Sequence, residues 1–190
     1  MKLLVGNFKM NLQNDDIIDY IDNFDCNGSN IVLCPSSLYL KDFINKGFIV
    51  GIQNVGFDDK GAYTGDISAS MAKSIGVKYA IVGHSERRQY YNDDLYVNKK
   101  LSQLLNNEIT PILCIGENLE TRESGNPNDF LKKELDDALI NLDHIESIVI
   151  AYEPIWSIGT GNIPSNDDIY NTIKFIKDYL LSNYKIDIRV

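Results

Sequence analysis

A chain of 190 residues is long enough to bury one well-packed core, and its mix of 44% hydrophobic and 24% charged residues is that of an ordinary globular domain. The net charge of −9, from 18 Lys and Arg against 27 Asp and Glu, argues against nucleic acid or an anionic membrane surface as partner. No apolar run approaches the ~20 residues of a membrane span, no signal peptide is visible, and Cys26, Cys34 and Cys114 are an odd number with no metal spacing, so the reading is of a reduced, cytoplasmic chain rather than a disulfide scaffold. In that compartment the glycosylation sequon Asn27-Gly28-Ser29 has no meaning.

Taken in order, short Ile/Val/Leu runs alternate with helical patterns. Strands are predicted over Lys2–Phe8, Asn30–Pro35, Phe48–Val55, Lys78–Gly83, Thr110–Glu117 and Ser147–Glu153. They are near-continuously apolar, as parallel strands buried on both faces should be. Between them, helices are predicted over Asp15–Phe24, with Asn14 as N-cap, then Ser37–Lys46 and Ser68–Ile75. Asp93–Asn107 follows, with Leu95, Val97, Leu101, Leu104 and Leu105 on its apolar face, and then Asp129–Leu142 and Asn166–Ser182. Ile186–Val190 reads as the start of a seventh strand. The order is βα repeated, each unit taking about 30 residues, in a single domain over 1–190. Two closures are open: a doubly wound sheet, which the length favours, or a (β/α)8 barrel.

Candidate chemistry lies at the strand ends. Asn7 and Lys9 follow the first strand, and their alternation points both to one side. The plain alternative is a solvated lysine. His84 ends the fourth predicted strand, and Ser85-Glu86-Arg87-Arg88 opens a helical turn that Ser85 could cap. There the helix dipole favours a neutral imidazole, which can donate to a carbonyl oxygen; the alternative is a packed histidine without chemistry. His144, in a polar loop, reads as incidental. Glu117 in Cys-Ile-Gly-Glu reads as orienting its neighbours. Glu153 ends a strand and runs into Pro154, Ile155, Trp156 and the Gly159-Thr160-Gly161 loop, which is how a base is placed beneath a closing lid. Alone, a solvated strand-end Glu is the commoner reading, but an exposed Trp and Ile in so long a turn ask for a reason. Gly56–Ser68 is a long loop bearing Phe57 and Tyr63, suited to a subunit contact or to covering its own barrel mouth.

Five segments taken together resemble the triosephosphate isomerase family from residue 1 to residue 190: Gly-Asn-Phe-Lys-Met-Asn at 6–11, Gly-Ala-Tyr-Thr-Gly at 61–65, Val-Gly-His-Ser-Glu-Arg-Arg at 82–88, Cys-Ile-Gly-Glu at 114–117, and Ala-Tyr-Glu-Pro-Ile-Trp-Ser-Ile-Gly-Thr-Gly at 151–161. The resemblance implies a (β/α)8 barrel, here about six βα units and the start of strand seven. It implies interconversion of D-glyceraldehyde 3-phosphate and dihydroxyacetone phosphate through an enediolate, in glycolysis and gluconeogenesis. The family is itself the standing example of a carboxylate base, a neutral histidine and a closing loop in one site. Carried over, Glu153 is the base and His84 the neutral electrophile. Lys9 and Asn7 hold the substrate and its enediolate, and the backbone N–H of Gly159 binds phosphate. Ser85 and Glu86 support, the latter beside Lys9. Tyr63 and Thr64 enter a second subunit of a homodimer, with Arg87 anchoring their loop through Asp66. No metal or organic cofactor is implied.

Phe8, Asp66 and Asn162-Ile163-Pro164 depart from the family's usual residues, touching packing and the hinge rather than the reacting groups. The family's phosphate-binding glycines of strands seven and eight are not reached by Val190. The expectation is therefore of a barrel lacking its C-terminal part, inactive or weakly active as 190 residues. The alternative function is a non-catalytic barrel fragment acting only through subunit association. A third reading, another sugar-phosphate enzyme, fits the lid and histidine motifs less well.

Overall fold

The computed structural model of the chain describes residues 2–24 and 30–190, so Cys26 and the sequon lie outside the described residues. The chain begins with β1 (Leu4–Asn7), α1 (Asn14–Asn23), β2 (Ile31–Cys34), α2 (Leu40–Asn45) and β3 (Gly51–Ile52). It continues through α3 (Ala69–Ser74), β4 (Tyr79–Val82), α4 (Ser85–Tyr91), α5 (Val97–Asn106) and β5 (Thr110–Ile115). Then come α6 (Leu119–Glu123), α7 (Pro127–Leu139), β6 (Val149–Tyr152) and α8 (Asn166–Tyr184).

All the strand pairs are parallel, and spatial order follows chain order. β1 pairs with β2, and β3 to β6 form a second ladder. A single bridge between Leu33 and Val50 joins the two. A doubly wound sheet reverses direction at a switch point; this one never does, so it is the advancing wall of a barrel. The strands are apolar throughout because they face two cores. Val32, Cys34, Ile81 and Cys114 pack inward with Leu3, Val5 and Tyr79. Leu33, Ile52, Ala80, Val82, Leu113 and Ile150 pack outward against the helices. Leu101 and Leu104 of α5 and Leu131 and Leu135 of α7 close that outer layer, each contributing about 2 kcal/mol of burial.

Several predicted elements shift. β3 is two residues long rather than eight, because the chain bends at Gln53, whose amide donates to the carbonyls of Lys9 and Cys34, both at 2.9 Å. The N-cap of α1 is Gln13, not Asn14, and its N–H donates to Asp16 at 2.8 Å. Leu95 is exposed, because Asp93–Tyr96 forms a 3-10 turn out of phase with α5. No seventh strand forms over Ile186–Val190, yet the Ile150 N–H donates to the Arg189 carbonyl at 2.9 Å, so this segment lies alongside β6. No helix among the described residues is long and apolar enough to cross a membrane.

Candidate active site

The C-terminal ends of β1, β4 and β6 bring Asn7, Lys9, His84 and Glu153 to one edge. Asn7 closes β1, and its Oδ1 accepts the Lys9 N–H at 3.0 Å. Lys9 itself takes a positive φ of 52°, a conformation unfavourable for a residue with a side chain. Gln53 holds the carbonyl of that turn. The alternation expected to align Asn7 with Lys9 is thus replaced by a left-handed turn. Lys9 Nζ reaches Glu86 Oε1 at 2.8 Å across the mouth.

His84 sits where β4 gives way to α4, and caps that helix itself, in place of Ser85. Its Nδ1 accepts the Glu86 N–H at 3.2 Å. That lone pair is engaged, so the ring proton is on Nε2. Glu86 Oε2 lies 3.6 Å from Nδ1, too far to be a hydrogen-bond partner. Nε2 meets Glu153 Oε1 at 2.9 Å. The other carboxylate oxygen accepts the Ser85 N–H at 2.9 Å. Both side chains are nearly buried, at 11% and 15% exposed. Two cavities meet here. One of about 300 Å³ is bordered by Asn7, Lys9, His84 and Glu86, and one of about 760 Å³ inside the barrel by Asn7, His84 and Glu153. The smaller one is near the lower size limit of small-ligand pockets.

Glu117 is fully buried and does orient its neighbours: one oxygen accepts Tyr152 Oη at 2.9 Å, Trp156 Nε1 at 3.0 Å and Arg122 at 3.2 Å. Burial, then the Glu117 charge, pushes the Tyr152 hydroxyl up to about 12. Trp156 is therefore half-buried, with Arg122 stacked over its ring, and is not the exposed anchor its sequence setting suggests. Ile158 is exposed as expected. Gly159 sits in the exposed lid at φ +70° and borders neither site cavity. Thr160 braces the lid by donating to the carbonyls of Trp156 and Ser157. His144 lies exposed, away from the site.

Tyr63 and Thr64 are exposed in the projecting loop. Tyr63 bonds Asp58 and packs edge-on to Phe57, which stacks on Tyr96. Arg87 pairs with Asp93 at 3.5 Å and covers the Tyr91 ring, rather than reaching Asp66. Below it, Lys100 and Asp93 make a buried pair at 2.6 Å, with Asn54 accepting a further Lys100 hydrogen. Burial lowers the Lys100 amine from its ordinary value, against the pull of Asp93. Cys34 and Cys114 are free and buried, and burial holds the Cys34 thiol up at about 12. No cluster of three metal-ligating side chains occurs among the described residues.

Sequence reasoning did not single out Gln53, Lys100, Arg122 or Glu134 as parts of this architecture. Arg122, five residues after Glu117, carried the one readable signal, a cation one helical turn beyond a buried strand-end acid.

Ionisable side chains gathered at the C-terminal strand ends of a parallel βα barrel are the usual setting of an enzyme's active site. Residues 2–190 match the family described as triosephosphate isomerase. Relatives carrying that name include those of Alkaliphilus oremlandii (38% identical, 98% of this chain and 79% of the relative) and Francisella tularensis subsp. novicida (41% identical, 100% and 78%). The Finegoldia magna relative is 39% identical over 98% and 79% of the two chains. The chain belongs to the triosephosphate isomerase family.

Proposed function

We propose that this site interconverts D-glyceraldehyde 3-phosphate and dihydroxyacetone phosphate, with Glu153 as the carbon base and His84 as the electrophile. Glu153 takes a proton from the carbon beside the carbonyl, leaving an enediolate, and returns it to the neighbouring carbon. The His84 Nε2–H polarises the carbonyl and passes a proton between the two oxygens. Lys9 offsets the charge that develops, and Asn7 fixes the turn that presents it. A proton shuttle of this kind uses no metal or organic cofactor.

The observation that carries the reading is the 2.9 Å contact between His84 Nε2 and Glu153, with Nδ1 occupied by the Glu86 N–H. In this resting arrangement both oxygens of Glu153 are engaged, by His84 and by the Ser85 N–H. Substrate must displace at least one. Closure of 154–164 would bring the Gly159 N–H to the phosphate and shield the enediolate from water. We further propose a cytoplasmic homodimer in which Tyr63 and Thr64 of one subunit enter the small cavity beside Lys9 of the other. Its walls include Asp66 and Arg87, at the root of that same loop and beside it.

Comparing triose-phosphate turnover of the purified enzyme, weak as it is expected to be over these 190 residues, with that of Glu153→Gln tests the assignment. Loss of turnover with intact folding supports it, and full turnover in the variant refutes it. Sedimentation of Tyr63→Ala and Thr64→Ala variants tests the dimer, which should weaken; an unchanged mass would refute that contact.

A further inference from the structure

Glu134 lies on α7, outside the barrel wall, and no step of the reaction above uses it. Its side chain is only 11% exposed. Oε2 accepts the Gly116 N–H at 2.9 Å, and Oε1 lies 3.4 Å from Arg88 Nη1. Arg88, 13% exposed, donates Nε to the Gly83 carbonyl at 2.6 Å and Nη2 to the Cys114 carbonyl at 3.0 Å. The pair therefore braces the ends of β4 and β5, directly behind His84.

Gly116 stands back to back with the base. A Cβ there would fall 1.7 Å from the Glu153 carbonyl oxygen. The Glu153 N–H donates to Ile115 at 2.8 Å, and the Trp156 N–H donates to Glu117 at 3.3 Å. Any shift of the Gly116 peptide is passed to the base and to the root of the lid. A cavity of about 650 Å³ beside Glu134 is bordered by Gly116, Phe130 and the lid residues Ile155 and Ile158.

We propose that Glu134 is a positioning residue for Glu153, and that the charge on its carboxylate sets how firmly the Gly116 peptide is held behind the base. The inference rests on Glu153 being the base. Burial pushes the Glu134 carboxyl up to about 7, against the opposing pull of Arg88 and the Gly116 N–H. The charged and titratable groups around it are Arg88, Glu86 and Tyr90 of α4, Asp94 of the following turn and Cys114 of β5. Glu153 beyond β6 and Lys133 and Asp137 of its own helix complete the set. Asp94 and Glu153 push the Glu134 carboxyl further up. The ionised carboxylate accepts the Gly116 N–H more strongly and pairs with Arg88. The protonated acid does both less well, so the brace loosens as pH falls through about 7.

The test is kcat and KM across about pH 5.5 to 8.5 for the enzyme and for Glu134→Gln, with the Gly116 amide followed by NMR over the same range. Glutamine keeps an acceptor for Gly116 but cannot ionise. The expected result is a Gly116 amide that titrates near neutrality, and a kcat about threefold or more lower on the acid side with KM unchanged. In Glu134→Gln that step should vanish, leaving kcat near the acid-side level. A Gly116 amide that does not titrate, a flat kcat, or a step that survives in Glu134→Gln would overturn the proposal. The first two readings need no variant, so a misfolded Glu134→Gln leaves the question decidable. An active enzyme with a flat profile defeats this inference alone, whereas turnover unaffected by Glu153→Gln removes the base it rests on.

Discussion

The two sides of the barrel mouth are built differently. On the β4–β6 side, His84 and Glu153 are nearly buried and held by N–H groups of α4, with Glu117, Arg88 and Glu134 behind them. On the β1 side, Lys9 and Glu86 are 42% and 47% exposed, and their ion pair stands at the edge of the small cavity. The proton-transfer groups are therefore preorganised, while the charge that meets the substrate anion stays adaptable. The contrast follows from chemistry: a base must be held in place before the reaction, whereas an exposed ion pair costs little to rearrange.

Substitutions can break this contrast. The largest effect belongs to the buried side: Glu153→Gln should lower kcat by about 10²- to 10⁴-fold, measured by steady-state turnover. Next comes the support beneath the mouth. Asp93→Ala leaves Lys100 charged and buried, and should cost about 3–5 kcal/mol in urea unfolding.

Glu134 gives a pH-dependent effect with a definite sign. Its carboxyl is raised in the folded state, from an ordinary 4.5 to about 7. The stability this confers is fully present below the unfolded value and is lost as pH rises toward about 7. Glu134→Gln should therefore gain on the parent enzyme over that window, by up to about 3 kcal/mol, in unfolding curves at several pH values. On the adaptable side, Lys9→Met should cost about 10- to 100-fold in kcat/KM, and the loss should shrink as salt screens the parent enzyme.

How much of this could be read from sequence differed between the same two sides. The strands were legible because parallel strands with a core on each face have to be apolar throughout, and His84, Glu153 and Lys9 were legible because each stands just past the C-terminal end of a strand. The supports were not. Glu134 lies in the run Lys132-Lys133-Glu134-Leu135-Asp136, which reads as a solvated helix face. Its burial comes from tertiary neighbours, among them Arg88 of α4 and the Gly116 N–H. Gln53 looked like part of a longer strand, since the bend that aims its amide at Lys9 depends on β1 and β2 being alongside. The helix cap at His84 rather than Ser85 was hidden because imidazole is an uncommon capping group, and only backbone geometry shows Nδ1 turned toward Glu86. Trp156 looked exposed because its partner, Glu117, lies 39 residues away in sequence.

The proposed chemistry depends on His84 holding its proton on Nε2 and presenting it to the reacting oxygens. The chain has only two histidines, His84 and His144, so imidazole ¹⁵N NMR with and without bound triose phosphate can be assigned with one His144→Gln control. The His84 ring is expected to carry a proton on Nε2 and none on Nδ1, both free and bound. A ring protonated on both nitrogens, or on Nδ1 alone, would contradict it.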